Sequence, residues 1–347
     1  MNIFIEPEIK DYSPVIYKDI INVLKLIKAN YRLMRVRKKI KKKRIQYVKY
    51  PVLHEGDISW ADLLIVFSPY ATSHNVKSWS QKYKKQILHL EFGFLPNSVL
   101  CDIGGFWGEA YANDYINEEL EKLNNSKFHE WSKKYSDYLI ENNISKRKQP
   151  LIHSRIDKEF VFLPMQYMND QSVLRFGNMP YPSFVKHVAK FCSDNNLVLA
   201  IKKHPHAYNK EPRKVDKLLK TLKKRFGKTI AVVDGSVHWF CKNCKFMAGM
   251  NTGAVSDGLI NGTIISHCGK SIFEKTFAVI HDNNIIAGLE KCLSLNEEEI
   301  KFMKNRQLSL LYFLYNRYLL LEEDSFGSEL SNEEKILIQL NHEKTYR

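Results

Sequence analysis

Residues 246–258, FMAGMNTGAVSDG, read as a buried strand, a polar turn and a helix start. The run Phe246–Met250 is apolar or small throughout, as a strand covered on both faces requires. Asn251-Thr252-Gly253 then breaks the run, and the pattern changes to a helix over about 253–261. The same alternation extends in both directions. Strands are predicted at 160–166, 197–202, 229–233, 263–267 and 277–280. Helices are predicted at about 181–194, 213–226, 236–243 and 284–294. Regular alternation of this kind predicts a parallel sheet with helices on both faces, a Rossmann-like α/β domain.

The N-terminal half shows a shorter version. Residues 62–67, DLLIVF, read as a buried strand, 75–85 as a helix, 86–91 as the next strand, and 99–102 as a further short one. The stretch 109–143 is polar and helical. Residues 144–150, ISKRKQP, form a charged, proline-terminated joint. These readings predict an N-terminal α/β lobe over 1–147, a C-terminal lobe over 148–300 and a helical tail over 301–347. In the tail, one long helix over about 297–322 carries LSLLYFLYNRYLLL, apolar on more than one face and so expected to be packed.

The net charge of +15 favours an anionic partner. It is concentrated in 32–44, RLMRVRKKIKKKR, where nine basic residues stand without an acid. This stretch follows a helical pattern with apolar Ile16, Ile20, Val23, Leu24 and Ile27, and predicts a basic helix. Arg35, Arg37, Lys38, Lys39, Lys41, Lys42, Lys43 and Arg44 are its candidates for contact with an anionic membrane surface. A solvated charged face and nucleic-acid binding are the alternatives, the latter disfavoured by the site motifs. No run of 18 apolar residues is present, and the start MNIFIEPEIKDYSP does not read as a signal peptide. Six scattered cysteines predict reduced thiols and a cytoplasmic protein; Cys241-x-x-Cys244 lacks the second pair a zinc site needs.

In doubly wound sheets ligands bind beyond the carboxyl ends of strands, and the polar motifs stand there. Lys202-Lys203-His204-Pro205 follows one strand, where ammonium and imidazole groups suit a phosphate or a leaving group; His206 is a weaker candidate. Asn251-Thr252-Gly253 opens a helix, whose free N–H groups suit an anion. Asp257, one turn on, is either a dipole partner of that helix or a ligand contact. A third strand ends in Gln166-Tyr-Met-Asn-Asp170-Gln-Ser172, where Asp170 is a candidate nucleophile, base or sugar-hydroxyl ligand. Glu91 ends a strand of the other lobe and is the matching carboxylate, a candidate base. Lys270 and Ser271 lie on a further loop. The chain has no GxxxxGK[ST], GxGxxG, HExxH or GxSxG motif, and no DxD metal motif. This composition fits a metal-independent transferase without a cofactor.

The order Glu91-x-Gly93-Phe94-Leu95, Gly104, Ile144-Ser145-Lys146, Leu163-Pro-x-Gln166-x-x-x-Asp170-x-Ser172, Lys203-His204-Pro205 and Asn251-Thr252-Gly253 with Gly262 resembles the capsule polysaccharide biosynthesis family. Its best-known members are β-Kdo glycosyltransferases of capsule and lipopolysaccharide. The resemblance spans about 60–280. It implies a GT-B fold, two Rossmann-like lobes with a ligand cleft between them, the donor held mainly by the C-terminal one. It further implies a CMP-β-Kdo donor and transfer with retention. On that resemblance Lys203 and His204 meet the donor phosphate and Asn251 and Thr252 hold the nucleotide. Gln166 and Asp170 line the reacting centre, and Glu91 faces it from the acceptor-side lobe. Lys202, Gly253 and Ser172 complete the expected donor set. The expected partners are a nucleotide sugar, a lipid-linked or oligosaccharide acceptor and the inner membrane's cytoplasmic face. Transfer of a pentose, another acidic sugar or another phosphate-linked group is the alternative, followed by a non-enzymatic role in binding anionic surfaces.

Overall fold

The computed structural model describes residues 2–5, 8–26, 30–33, 40–41, 44–45, 61–68, 76–204 and 212–342. They form two compact units: one of residues 1–93, 97–106 and 315–347, the other of 94–96 and 107–314.

The first unit is built on β1 (Asn2–Ile5), β2 (Asn30–Leu33), β5 (Leu63–Phe67), β6 (Gln86–Phe92) and β7 (Ser98–Asp102). A separate two-residue ladder pairs β3 (Ile40–Lys41) with β4 (Arg44–Ile45). Helices α1 (Glu8–Tyr12), α2 (Pro14–Leu26) and α3 (Val76–Lys82) connect these strands. The order is β7-β6-β5-β1-β2, parallel from β6 to β2, with β7 antiparallel to β6. The strand Leu320–Leu321 adds antiparallel to β7. All five β5 residues are buried, which explains its unbroken apolar sequence. Helix α2 buries Ile16, Ile20, Val23 and Leu24, one face at helical spacing.

At its described residues, 32–33, 40–41 and 44, the expected basic helix is replaced by extended backbone. Helix α2 ends at Leu26. The backbone is extended at Arg32, and Lys41 and Arg44 face each other across the β3–β4 ladder. Like charges three and four apart, with no acid among them, oppose a helix here. Arg35, Arg37, Lys38, Lys39, Lys42 and Lys43 lie outside the described residues.

The second unit carries α4 (Ile116–Lys122), α5 (Ser126–Glu141), β8 (Phe160–Pro164), α6 (Gln171–Phe176), α7 (Tyr181–Asp194) and β9 (Val198–Lys202). It continues through α8 (Pro212–Phe226), β10 (Ile230–Val233), α9 (Val237–Asn243), β11 (Phe246–Met250) and α10 (Val255–Ile260). It ends with β12 (Ile265–Cys268), β13 (Ile280–His281), α11 (Ile285–Ser294) and α12 (Glu297–Phe313). The strand order β10-β9-β8-β11-β12-β13 is parallel throughout. Counted from β8, this is the 3-2-1-4-5-6 order of dinucleotide-binding sheets. Val161, Leu163, Leu199, Ile201 and Phe246 are fully buried in its core, each contributing about 1.5–3 kcal/mol.

Two expected boundaries shift. Residues 107–147 belong to the second unit, so the joint at 144–150 lies inside it. Arg306 of α12 supplies one reason. Its guanidinium is fully buried and donates to the Thr276 carbonyl (2.9 Å), to Glu121 (2.7 Å) and to Asn117. A buried charge needs such partners, and two of them come from α4. The expected helix over 297–322 stops at Phe313. A wider-wound turn, Leu314–Tyr318, and the strand Leu320–Leu321 follow as the chain enters the first unit. The buried Lys335 closes that turn, donating to the carbonyls of Tyr315 (2.8 Å) and Leu319 (2.9 Å). Tyr318 donates to the buried Asp102 (2.8 Å).

His267, at the end of β12, is fully buried; among the described residues neither ring nitrogen has a hydrogen-bond partner, and the ring stacks on Trp107. Burial first, and the charge of His281 second, lower its pKa to about 3. The unfolded chain therefore takes up a proton between pH 6.5 and 3 that the folded chain does not. Stability falls as pH drops through that window, by about 1.4 kcal/mol for each pH unit in which the states differ. His267→Phe, which keeps a ring against Trp107, should flatten the denaturation midpoint between pH 6.5 and 4. An unchanged pH slope in this variant would refute the assignment.

Candidate functional site

The sheet of the second unit changes direction between β8 and β11, where connections lead away to opposite sides. In open α/β sheets this is the place, beyond the carboxyl ends of the strands, where ligands bind. The described residues place one hydrogen-bonded knot there. Gln166, just after β8, is buried; its Nε2 donates to the Asn251 carbonyl (2.8 Å). Ser172 Oγ donates to the same carbonyl (3.2 Å), and Asn251 Nδ2 donates back to the Ser172 carbonyl (2.9 Å). Asn251, after β11, is fully buried and has φ +43°, a left-handed conformation that asparagine tolerates better than most residues. Its Oδ1 is a buried acceptor with no hydrogen-bond partner among the described residues. Tyr181 closes the knot from below, its hydroxyl accepting from the Gln166 N–H (2.7 Å).

The knot thus joins Gln166 and Ser172, from the segment after β8, to Asn251, about eighty positions on. Thr252 is also buried, and its Oγ1 accepts from the Ala254 N–H (3.3 Å) within the turn that precedes α10. Gly253 is half-buried. A Cβ placed on it would stand 3.2 Å from Lys146 Nζ, so the glycine leaves room for that ammonium group.

Asp170 is the N-cap of α6. Its Oδ1 accepts from the Ser172 N–H (2.8 Å), and its carbonyl accepts from Val173 and Leu174. By its polar sequence 166–172 is expected as a loop. The structure begins a helix at Gln171 and gives the half-buried carboxylate a fixed orientation.

The Lys-His-Pro turn follows β9, the strand next to β8. Lys202 Nζ donates to the Gly235 carbonyl (2.7 Å) and stands 3.5 Å from Asp234. Lys203 stands 3.8 Å from Asp216 of α8. His204 is half-buried, while Pro205 and His206 lie outside the described residues. Glu91 belongs to the first unit, on β6, where its Oε1 accepts from the Phe92 N–H (3.0 Å). Ser271 is buried and accepts from the Phe273 N–H (3.2 Å); Lys270 is exposed.

Asp257, left open between two roles, is buried inside α10. Burial pushes its carboxyl above the ordinary range, and His238, the Ser145 hydroxyl, Lys146 and Lys202 oppose that. This cluster contains two residues that carry no role in the motifs read above, Lys146 and His238. Lys146 had a signal, its place in the motif order. His238 had none, since its partners lie on other elements.

Asp170→Ala should lower stability by about 1 kcal/mol through loss of the cap, whereas Asp170→Asn, which keeps an acceptor, should stay within a few tenths of the wild type. Equal denaturation midpoints for both variants would contradict the capping role.

No protein-family model matches the chain, and no curated protein matches its sequence. Solved structures do match. The KpsC β-Kdo 2,4-transferase of Thermosulfurimonas dismutans aligns over 92% of each chain with a TM-score of 0.57 at 12% identity. The β-Kdo 2,7-transferase structure of KpsC from the same organism aligns over 99% of this chain and 100% of that one, with a TM-score of 0.53 at 15% identity. Among the described residues no helix is long and apolar enough to cross a membrane, and no cluster of three or more His, Cys, Asp or Glu could hold a metal ion. The motif order resembled a GT-B family of capsule biosynthesis, and the architecture agrees: the chain has the GT-B fold, shared with these two KpsC transferase structures.

Proposed function

We propose that this chain is a glycosyltransferase that binds a phosphate-linked sugar donor on its second unit. The observation that carries this reading is the knot of Gln166, Ser172 and Asn251 at the switch point of a 3-2-1-4-5-6 sheet. It fixes two polar turns where a ligand of this fold class sits, with the basic turn of Lys202, Lys203 and His204 after the adjoining strand. The shared fold with two β-Kdo transferases supports a β-Kdo donor, CMP-linked, as the motif order implied.

Retention calls for two displacements at one carbon, or for attack on the leaving-group face. In the first route, which we favour, Asp170 is the nucleophile. Its carboxylate oxygen bonds to the anomeric carbon while the carbon–phosphate oxygen bond breaks, and CMP departs with the electron pair. The acceptor hydroxyl, giving its proton to a base for which Glu91 is the candidate, then attacks the same carbon and frees Asp170. The capping bond from the Ser172 N–H leaves Oδ2 for that attack. Lys203 and His204 neutralise the departing phosphate. Thr252 and Gly253 receive the nucleotide. No metal ion enters this route. The acceptor is a lipid-linked or free oligosaccharide, and the basic residues from Arg35 to Arg44 keep the protein at an anionic membrane surface.

A thermal-shift panel tests the donor. CMP should raise the melting temperature, by about 2.7 kcal/mol of added stability at a hundredfold excess over Kd, while UDP and GDP should have little effect. Stabilisation by UDP or GDP alone would overturn the CMP assignment in favour of another sugar or phosphate-linked group. Asp170→Asn and Asp170→Ala should both abolish transfer with CMP binding retained; full turnover by Asp170→Ala would remove it from the mechanism.

A further inference from the structure

Between α5 and β8 the chain runs through residues 142–159, a connection that could have served as a loose tether. The part from Asn143 to Gln149 is held firmly. Ser236 Oγ donates to Asn143 Oδ1 (2.5 Å) and the Val237 N–H donates to Gln149 Oε1 (3.2 Å). Between these anchors, His238 Nε2 donates to the Ile144 carbonyl (2.8 Å). The orientation of that imidazole is determined by its neighbours. A carbonyl can only accept, so Nε2 carries a hydrogen. On the other side Asn261 Nδ2 reaches both the Asp257 carbonyl (2.7 Å) and His238 Nδ1 (2.8 Å). Asn261 therefore donates to Nδ1, and His238 sits buried as a tautomer with one donor and one acceptor used.

This arrangement delivers Lys146 to the turn after β11. Its ammonium stands where it would meet a side chain at position 253, 3.2 Å from an added Cβ. Beneath it lie the buried Asp257 carboxyl and the Ser145 hydroxyl, with Lys202 acting on the same carboxyl. Lys202 has Asp234 at 3.5 Å as a carboxylate of its own. Lys146 is the ammonium that the anchored segment sets beside the polar turn Asn251–Gly253, opposite the one residue of that turn without a side chain.

We propose that Lys146 contacts the donor phosphate, and that His238 is a positioning residue which holds the Ile144–Lys146 strap over Gly253. This rests on the donor reading above and adds to it a cation from a segment outside the three strand-end turns. A lysine acts on phosphate as a point charge, so the effect is confined to the charged part of the ligand. His238 touches no ligand and acts only through the Ile144 carbonyl.

Calorimetric titration of the full chain with CMP, UDP and GDP, each beside its nucleoside cytidine, uridine or guanosine, tests this directly. For the nucleotide that the wild type binds, Lys146→Ala should weaken affinity at least tenfold while leaving the matching nucleoside unchanged, which also shows that the variant is folded. Lys146→Arg should recover most of the loss. His238→Ala should reproduce the Lys146→Ala pattern, and His238→Gln, whose amide can again donate to the Ile144 carbonyl, should restore nucleotide binding. Nucleotide affinity retained by Lys146→Ala, or lost equally for nucleotide and nucleoside, would overturn the inference alone. A wild-type chain that binds none of the three nucleotides would overturn the donor reading and this inference with it.

Discussion

The hydrogen-bonded tie across Asn251 is the constraint on which the candidate site depends. One carbonyl accepts from both Gln166 and Ser172, and the Asn251 amide donates back to Ser172. All three side chains are buried, where each bond contributes about 1 kcal/mol and a missing partner costs about 1–3 kcal/mol. The tie therefore sets the spacing of the loops after β8 and β11. Asp170, capping α6 within the first loop, and Gly253, at the end of the second, inherit their positions from it.

The strands β8 and β11 were legible because every residue in each is buried, and each is so written as an unbroken apolar run. Phe246–Met250 is the clearest case: its bounds in the sequence and in the structure coincide. The turns after them were legible for the complementary reason, since the apolar run stops there at polar residues. The Asp170 cap was missed because Asp-Gln-Ser lacks the glutamate that completes a capping box, unlike Asn296 and Glu299 at the start of α12.

Other features depended on partners distant in sequence. The helices α4 and α5 look like part of the first lobe by position, yet the buried Arg306 requires Glu121 and Asn117. The apolar segment after Leu308 reads as one helix by composition. It divides because its last residues supply a strand to β7 and a tyrosine to Asp102. The basic stretch read as a helix because the periodicity of α2 continues to Ile27, and the mutual repulsion of its charges was the competing physics. His238 and Lys146 are the same kind of case, meaningful only once Ile144, Asn261 and Gly253 are neighbours.

The central claim is that a nucleotide lies on the turns joined at Asn251. Amide hydrogen exchange of the full chain, with and without saturating CMP, measures this most directly. The account predicts slowed exchange concentrated in 144–146, 166–172 and 251–254, with the helices α11 and α12 unchanged. Protection that leaves these three segments untouched while appearing elsewhere in the chain would contradict it.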